Sequence, residues 1–337
     1  MATSSTPLLH VTNGDSVAAT LARTRLGGEV LPWRDVLHEG PAPAGPRRAL
    51  LEARARFLAT SGWGGERELR DGFERRDRRL LDALGAGTAV VLWFEHDLYD
   101  QLQLLDVLTL VGEAGAGAVE GIVVGAFPGR PRFRGLGELE PGELAALWNE
   151  RREVPVRTMV EAAAVWQAFV APEPTGIAAW ATRGSESLPF LGPALSRLLE
   201  ELPATTDGLS GTERRLLAAI AAGARTSASV FVASQERELA PFLGDVGAYR
   251  TLAELGSGDA RLVETVGGDE LPTPPPRGDL RGFARLGIRL TPLGERVLQG
   301  TADRVALLGL DRWLGGTHLT TDHTWRWSPR EARLVAP

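Results

Sequence analysis

The chain has 337 residues, 37 basic and 43 acidic side chains, a net charge of −6 and no cysteine. Every basic residue is arginine, which excludes a Schiff-base lysine and a Walker-type phosphate loop, as well as disulfides, thiolate catalysis and thiolate-bound zinc. The acidic balance argues against a general affinity for nucleic acid or anionic membranes, and no apolar run approaches the roughly 18 residues of a membrane span.

In chain order, residues 8–12 read as a short buried strand halted by Asn13-Gly14, with Asp15 or Ser16 placed to cap an Ala-rich helix running to Leu26. A weaker strand is expected at 29–33. Helices follow at 47–58 and 66–84, the second carrying Leu69, Phe73, Leu80, Leu81 and Leu84 at helical spacing. Residues 89–94 are apolar throughout, as a strand covered on both faces must be. A helix from 98 to 112 and a strand at 121–126 complete the pattern. Parallel strands need crossovers, so residues 1–140 are expected to form an open, mostly parallel α/β sheet with helices on both faces, a Rossmann-like arrangement.

Residues 141–204 carry helical spacing at 143–150, 157–170, 174–181 and 193–202 and no convincing strand, so they read as a helical connector. The remainder, 205–337, is expected to hold helices at 213–222, 236–243 and 246–255, then strands at 261–266 and 287–290. Three helices and a hairpin outline a winged-helix-like module, with the proline-rich 272–276 stretch in a mobile loop. A last hairpin is expected between 313–319 and 324–327. Residues 205–300 carry 11 arginines against 12 acids, and Gln235-Glu236-Arg237-Glu238 would repel phosphate. Packing or dimerisation is therefore the expected role of this module; nucleic acid is not an expected partner, and a homo-oligomer is compatible with the reading.

Open parallel sheets bind ligands beyond the carboxyl ends of their strands, where helix N-termini collect. All four such ends are polar here: Asn13-Gly14-Asp15-Ser16, the loop from Arg34 through Asp35 and His38 to Glu39, the run Glu95-His96-Asp97-Leu98-Tyr99-Asp100-Gln101, and Gly129-Arg130-Pro131. The third is the densest: on a helix starting near Asp97, Asp97, Asp100 and Gln101 share a face. Glu95, His96 and Asp97 are the candidates for proton transfer, with His38 and Asp35 orienting them. Asn13, Gly14, Asp15, Ser16, Arg34, Glu39, Tyr99, Asp100, Gln101 and Arg130 are the candidates for binding the ligand. His96 beside carboxylates should have its protonated form favoured by opposite charge.

Simpler readings stand beside these. Acids also complement a helix N-terminus, and a Gly turn with an Asp or Ser cap accounts for Gly14-Asp15-Ser16. That tripeptide is similar to the nucleophile turn of GDS-type ester hydrolases, but the Asp-x-x-His partner is missing, since Asp322 and His323 are adjacent. Trp33, Trp93 and Phe94 read as core aromatics, His10 as a buried hydrogen-bonded histidine, and His318 and His323 as packing residues. Asp35, His38, Glu39, Glu95, His96, Asp97 and Asp100 are suitable metal-ligand types, yet no spacing matches a ligand signature. No cofactor is expected, and at most a weakly held divalent metal.

Three segments together, His10-Val11-Thr12-Asn13-Gly14-Asp15-Ser16, Trp33 through Pro41 and Glu95 through Leu102, resemble the bacterial family catalogued as domain of unknown function 1835. The resemblance covers about residues 8–135, and Asp311 through Gly316 resembles the tail of its two-module members. It implies a recurring architecture and no reaction. The expected function is acid–base chemistry, of hydrolase or transferase type, on a small polar nucleotide- or sugar-like metabolite in the cytoplasm. The alternative is a ligand-sensing regulator or interaction protein with a winged-helix output.

Overall fold

The structure is a computed structural model that describes residues 7–115 and 119–337. The first half runs β1 (Leu8–Asn13), α1 (Asp15–Leu21), β2 (Glu29–Trp33), β3 (Gly40–Pro41), α2 (Arg47–Thr60), α3 (Glu66–Gly85), β4 (Ala89–Glu95), α4 (Leu98–Glu113) and β5 (Val119–Val124). The main sheet has the order β2-β1-β4-β5-β6, where β6 is Arg152–Glu153. Its first four strands are parallel, and β6 closes one edge antiparallel to β5. Pro32 costs β2 little, because an edge strand can spare a donor.

Strand side chains alternate between two cores, as a period of two requires. Leu9, Val11, Leu92 and Phe94 face one core with α2, α3 and α4, while Val91, Trp93 and Ile122 face the other with α1. Helices therefore cover both faces, as expected. The chain leaves β1 toward β2 on one side and returns to β4 on the other. That reversal opens a crevice above the carboxyl ends of β1 and β4.

Next come α5 (Pro141–Ala146), α6 (Val156–Phe169), α7 (Thr175–Arg183) and α8 (Leu191–Leu199). The expected all-helical connector is broken by β6. The helix expected to reach 150 ends at Ala146, followed by a single tight turn at Leu147–Glu150. Pro155 explains the change: residues before a proline favour extended backbone, and Val154 N–H continues the edge pairing to Val119 O at 2.8 Å.

A second core is built by α9 (Gly211–Ala221), α10 (Ser227–Gln235) and α11 (Asp245–Leu255), the antiparallel pair β7 (Val263–Thr265) and β8 (Ile288–Leu290), α12 (Arg281–Ala284) between them, and α13 (Pro292–Leu298). The middle helix lies at Ser227–Gln235 rather than at 236–243. Its Ser, Val and Phe content lowers intrinsic propensity, but Thr226 caps it through Ser229 N–H and Val230 is fully buried. The proline-rich loop is not free: Leu271 is buried, and Pro276 occupies the space a β-carbon at Gly62 would need.

After α14 (Arg304–Leu308) the tail forms β9 (Asp311–Gly315), β10 (Thr317–Thr320), β11 (Arg326–Ser328) and β12 (Arg333–Val335). The single hairpin expected here is two, β9–β10 and β11–β12. β9 also pairs in parallel with β3 in the first half, and Leu310, Leu314 and Leu319 join the first core rather than the second. Gly315 and Gly316 permit that docking, since a β-carbon on Gly316 would lie 1.9 Å from Val170 O. Among the described residues, no helix is long and apolar enough to cross a membrane.

Candidate functional site

The crevice above β1 and β4 holds an open cavity of about 250 Å³, lined by Asn13–Ser16, Glu95, Tyr99 and the 134–138 loop. Glu95 on its wall belongs to a buried acidic cluster. Glu95 ends β4, Asp97 caps α4 by accepting Asp100 N–H at 3.0 Å, and Asp100 lies in the first turn of that helix. One carboxylate oxygen from each of these three lies within 4.8 Å of the others. Asp100 is completely buried; it accepts Asn13 Nδ2–H at 2.6 Å and Glu95 N–H at 2.8 Å. Asn13 thus ties the end of β1 to the start of α4 across the strand reversal.

A glycine completes the arrangement. Leu136 N–H donates to Glu95 Oε1 at 2.5 Å, bringing the 134–138 loop over the carboxylate. Gly135 has φ +151°, and a β-carbon there would fall 2.0 Å from Glu95 Oε2. Only glycine allows the approach.

The charge balance singles out this cluster. Elsewhere, buried carboxylates meet arginines: Asp35 meets Arg54, Asp77 meets Arg47 and Arg76, Asp106 meets Arg47, Asp207 meets Arg214, and Glu213 meets Arg304 and Arg312. Among the described residues, Glu95, Asp97 and Asp100 have no arginine within ion-pair reach, and their carboxylates cluster behind the crevice that Glu95 lines. Burial, reinforced by Asp100 and Asp97, raises Glu95 well above the usual carboxylate range. Burial and Asp100 raise Asp97 likewise, and burial pushes Asp100 up to about 7. Such a cluster retains protons near neutral pH.

The other residues singled out in the sequence divide. Tyr99 lines the crevice, with its hydroxyl 4.0 Å from where a Gly14 β-carbon would sit; burial raises its phenol. Asp15 and Ser16 are exposed at the mouth, and Arg34 Nε–H donates to Asp15 Oδ1 at 2.8 Å, a solvated pair at the rim. Gln101 is structural here, donating to Glu95 O at 2.6 Å.

His96 does not join the carboxylates. Its ring lies between Phe133 and Phe190, at 6.2 and 5.9 Å between centroids, and burial lowers its pKa, opposite to the expected rise. Asp35 is engaged by Arg54, a fully buried arginine that also donates to Val36, Glu39 and Pro41 carbonyls and so pins the loop after β2. His38 and Glu39 open onto a different cavity, against the second core. Arg130 is bound to Glu143 at 2.7 Å and is absent from the crevice lining. The described site thus brings together Asn13–Ser16, Glu95, Asp97, Tyr99 and Asp100, and not Asp35, His38, Glu39, His96 or Arg130.

Sequence reasoning missed Arg134, Gly135, Gly137 and Glu138. The signal was the glycine pair in Arg134-Gly135-Leu136-Gly137, which marks close backbone approach. His10 is the buried, hydrogen-bonded histidine expected: Nδ1 accepts Trp93 Nε1–H at 3.0 Å, and Nε2 lies 2.9 Å from Gly27 O.

Chemically, three carboxyl groups with shared protons can give or take a proton at a bound hydroxyl or amine. Fully ionised, they can hold a divalent cation, and an all-oxygen set suits a hard ion such as magnesium, calcium or manganese.

No protein-family model matches the chain, and no curated protein is significantly similar to it. Among solved structures, the Plasmodium falciparum topoisomerase II DNA-binding, cleavage and re-ligation domain is 11% identical, with a TM-score of 0.44 over 84% of this chain and 47% of that chain. This chain therefore spans less than half of that one, and a likeness so loose carries neither fold nor chemistry across.

Proposed function

We propose that the crevice above β1 and β4 performs general acid–base chemistry on a small polar ligand of nucleotide- or sugar-like character. The observation that carries this reading is the buried Glu95, Asp97 and Asp100 cluster, unpaired by arginine in a chain that pairs its other buried acids. Glu95 and Asp100 hold the exchangeable protons. Asn13 fixes Asp100, while Tyr99 and Ser16 offer hydroxyls to the ligand. Asp97 is primarily the cap that orients α4.

A hard divalent cation is the second reading of the same cluster, favoured by the 4.8 Å spread of its ligand atoms. The second core fits a winged-helix-like module, since three helices are followed by an antiparallel pair. Its role in this reading is packing and not output. The likeness of the crevice segments to the family catalogued as domain of unknown function 1835 extends the proposal to the chains that share those segments.

The test is a thermal-shift screen of nucleosides, nucleoside phosphates and sugar phosphates against the unmodified chain and the Glu95→Gln and Asp100→Asn variants. At least one ligand class should raise the Tm of the unmodified chain and lose that effect in both folded variants. Equal shifts in all three proteins would remove the carboxylates from the site.

A further inference from the structure

The cavity that takes His38 and Glu39 away from the strand-end crevice is a second candidate site. It has a volume of about 340 Å³ and lies where the loop after β2, helix α11 and strand β9 meet. That volume falls within the range of roughly 300–1,000 Å³ typical of small-molecule sites. Two units of the fold contribute walls, a common setting for ligand sites.

Its apolar walls are aromatic. Phe242 meets His38 edge-on at 5.1 Å between centroids, and Trp313 is stacked at 4.3 Å on His318. His38 is nine-tenths buried; its Nε2 lies 3.6 Å from Glu39 Oε1, and among the described residues neither ring nitrogen makes a hydrogen bond. Phe242 already accepts a cation on its ring, Arg197 at 4.9 Å.

Among the lining side chains the acids Glu39, Glu201, Glu254 and Asp311 outnumber the arginines Arg250 and Arg312. Arg250 is taken by Glu39 at 3.0 Å, and Arg312, at 2.8 Å, shares the buried Glu213 with Arg304. Glu201 is taken by Arg197. Glu254, one turn after Arg250 on α11, lines the same cavity, and among the described residues no side chain pairs with its carboxylate. The residue keeps solvent exposure, while desolvation of its carboxyl raises its pKa against the opposing charges of Arg312 and Arg250. Asp311 adds a further acid at the rim, paired with His318. The residual field is negative and the walls are aromatic.

We infer that this cavity binds a small organic cation, a protonated amine or guanidinium carried on an apolar body, with Glu254 as counter-ion and Phe242 and Trp313 as walls. An anion of the same shape meets the excess of acids in the lining, Glu39, Glu201, Glu254 and Asp311, so charge discriminates against it. Cation–π attraction from Trp313 and Phe242 acts in the same direction as Glu254.

The experiment uses the full chain and isothermal calorimetry with three probes: phenethylammonium, agmatine and 3-phenylpropionate. Phenethylammonium or agmatine should bind saturably, at least tenfold tighter than 3-phenylpropionate. Glu254→Gln should weaken the cation at least tenfold with an unchanged Tm, because the carboxylate holds no other residue. Thr251→Trp, which fills the cavity and keeps every charge, should abolish binding. Asp100→Asn should leave it intact, since that residue belongs to the other crevice. Equal or tighter binding of 3-phenylpropionate, no binding of either cation at millimolar concentration, or indifference to Glu254→Gln would each overturn the inference. Loss of binding in Asp100→Asn would place the cation in the strand-end crevice and overturn it as well.

Discussion

Asp100 shows how one side chain links site chemistry to stability. Its ordinary pKa near 4 is pushed up to about 7 by burial, so the folded state binds its proton more tightly than the unfolded state. The stability it confers is therefore complete below about pH 4 and is lost as pH rises through about 7. Asp100→Asn cannot ionise and keeps an acceptor for one of the two donors. The variant should gain at least about 1 kcal/mol relative to the unmodified chain between pH 5 and pH 8, read by denaturant melts at both values. A difference that does not vary with pH would mean that Asp100 ionises freely in the fold. The same linkage predicts a cation effect of opposite dependence: manganese should raise the Tm more at pH 8, where Asp100 is ionised, than at pH 5. Much of this was legible in the sequence, because three acids within six positions at a strand end cannot all be caps. Asp35 and His96 misled for a common reason. Their fates are set by Arg54, Phe133 and Phe190, distant in the sequence, and local spacing does not show which partner a side chain reaches.

At the level of elements, the parallel strands and their crossover helices were readable because burial on both faces leaves continuous apolar runs such as Ala89–Phe94. The α10 helix was not, since its β-branched and serine residues hide a helix that caps and packing impose. Nor was β6, whose two residues pair only because an edge of β5 is open to them. Glycines offer a direct check on docking of the tail. Gly316→Ala places a β-carbon 1.9 Å from Val170 O at the end of α6, so β9 and β10 must move away from the first core. A loss of about 2–4 kcal/mol is expected from this backbone clash. Gly85→Ala, at the end of α3 with nothing within 4 Å of its new β-carbon, should instead be neutral or stabilise by up to about 1 kcal/mol. Urea midpoints of the two variants check the pair. Similar values for both would mean that the glycine pair at 315–316 does not govern docking of the tail.

Across the whole molecule, the question is whether two cores behave as one. The sequence pattern divides the chain into 1–140, a connector at 141–204 and a module at 205–337. The structure places tail residues in the first core and joins α8 to the second core through a buried ion pair, which no local pattern announces. Arg197 on α8 is the junction's densest point: it binds Glu201, just past the end of its helix, at 2.6 Å and the Glu238 carboxylate of the second unit at 2.8 Å, and donates to Thr212 at 3.1 Å. The Glu238 side chain is only 6% exposed, so it depends on its arginines for charge balance. Arg215 also reaches Glu238, at 3.3 Å, but it is shared with Glu200. Replacing Arg197 with methionine keeps volume and removes the charge, leaving Glu201 and Glu238 short of a partner. Breaking a buried pair from one side costs about 3–5 kcal/mol, and here the cost falls on the contact between the two cores. Calorimetry should therefore show one cooperative transition for the unmodified chain and two for Arg197→Met, the lower one belonging to residues around α9–α11. Added salt should not reproduce the split, because buried pairs are weakly screened. A single, merely shifted transition in the variant would mean that the tail docked against β3 suffices to couple the cores without Arg197.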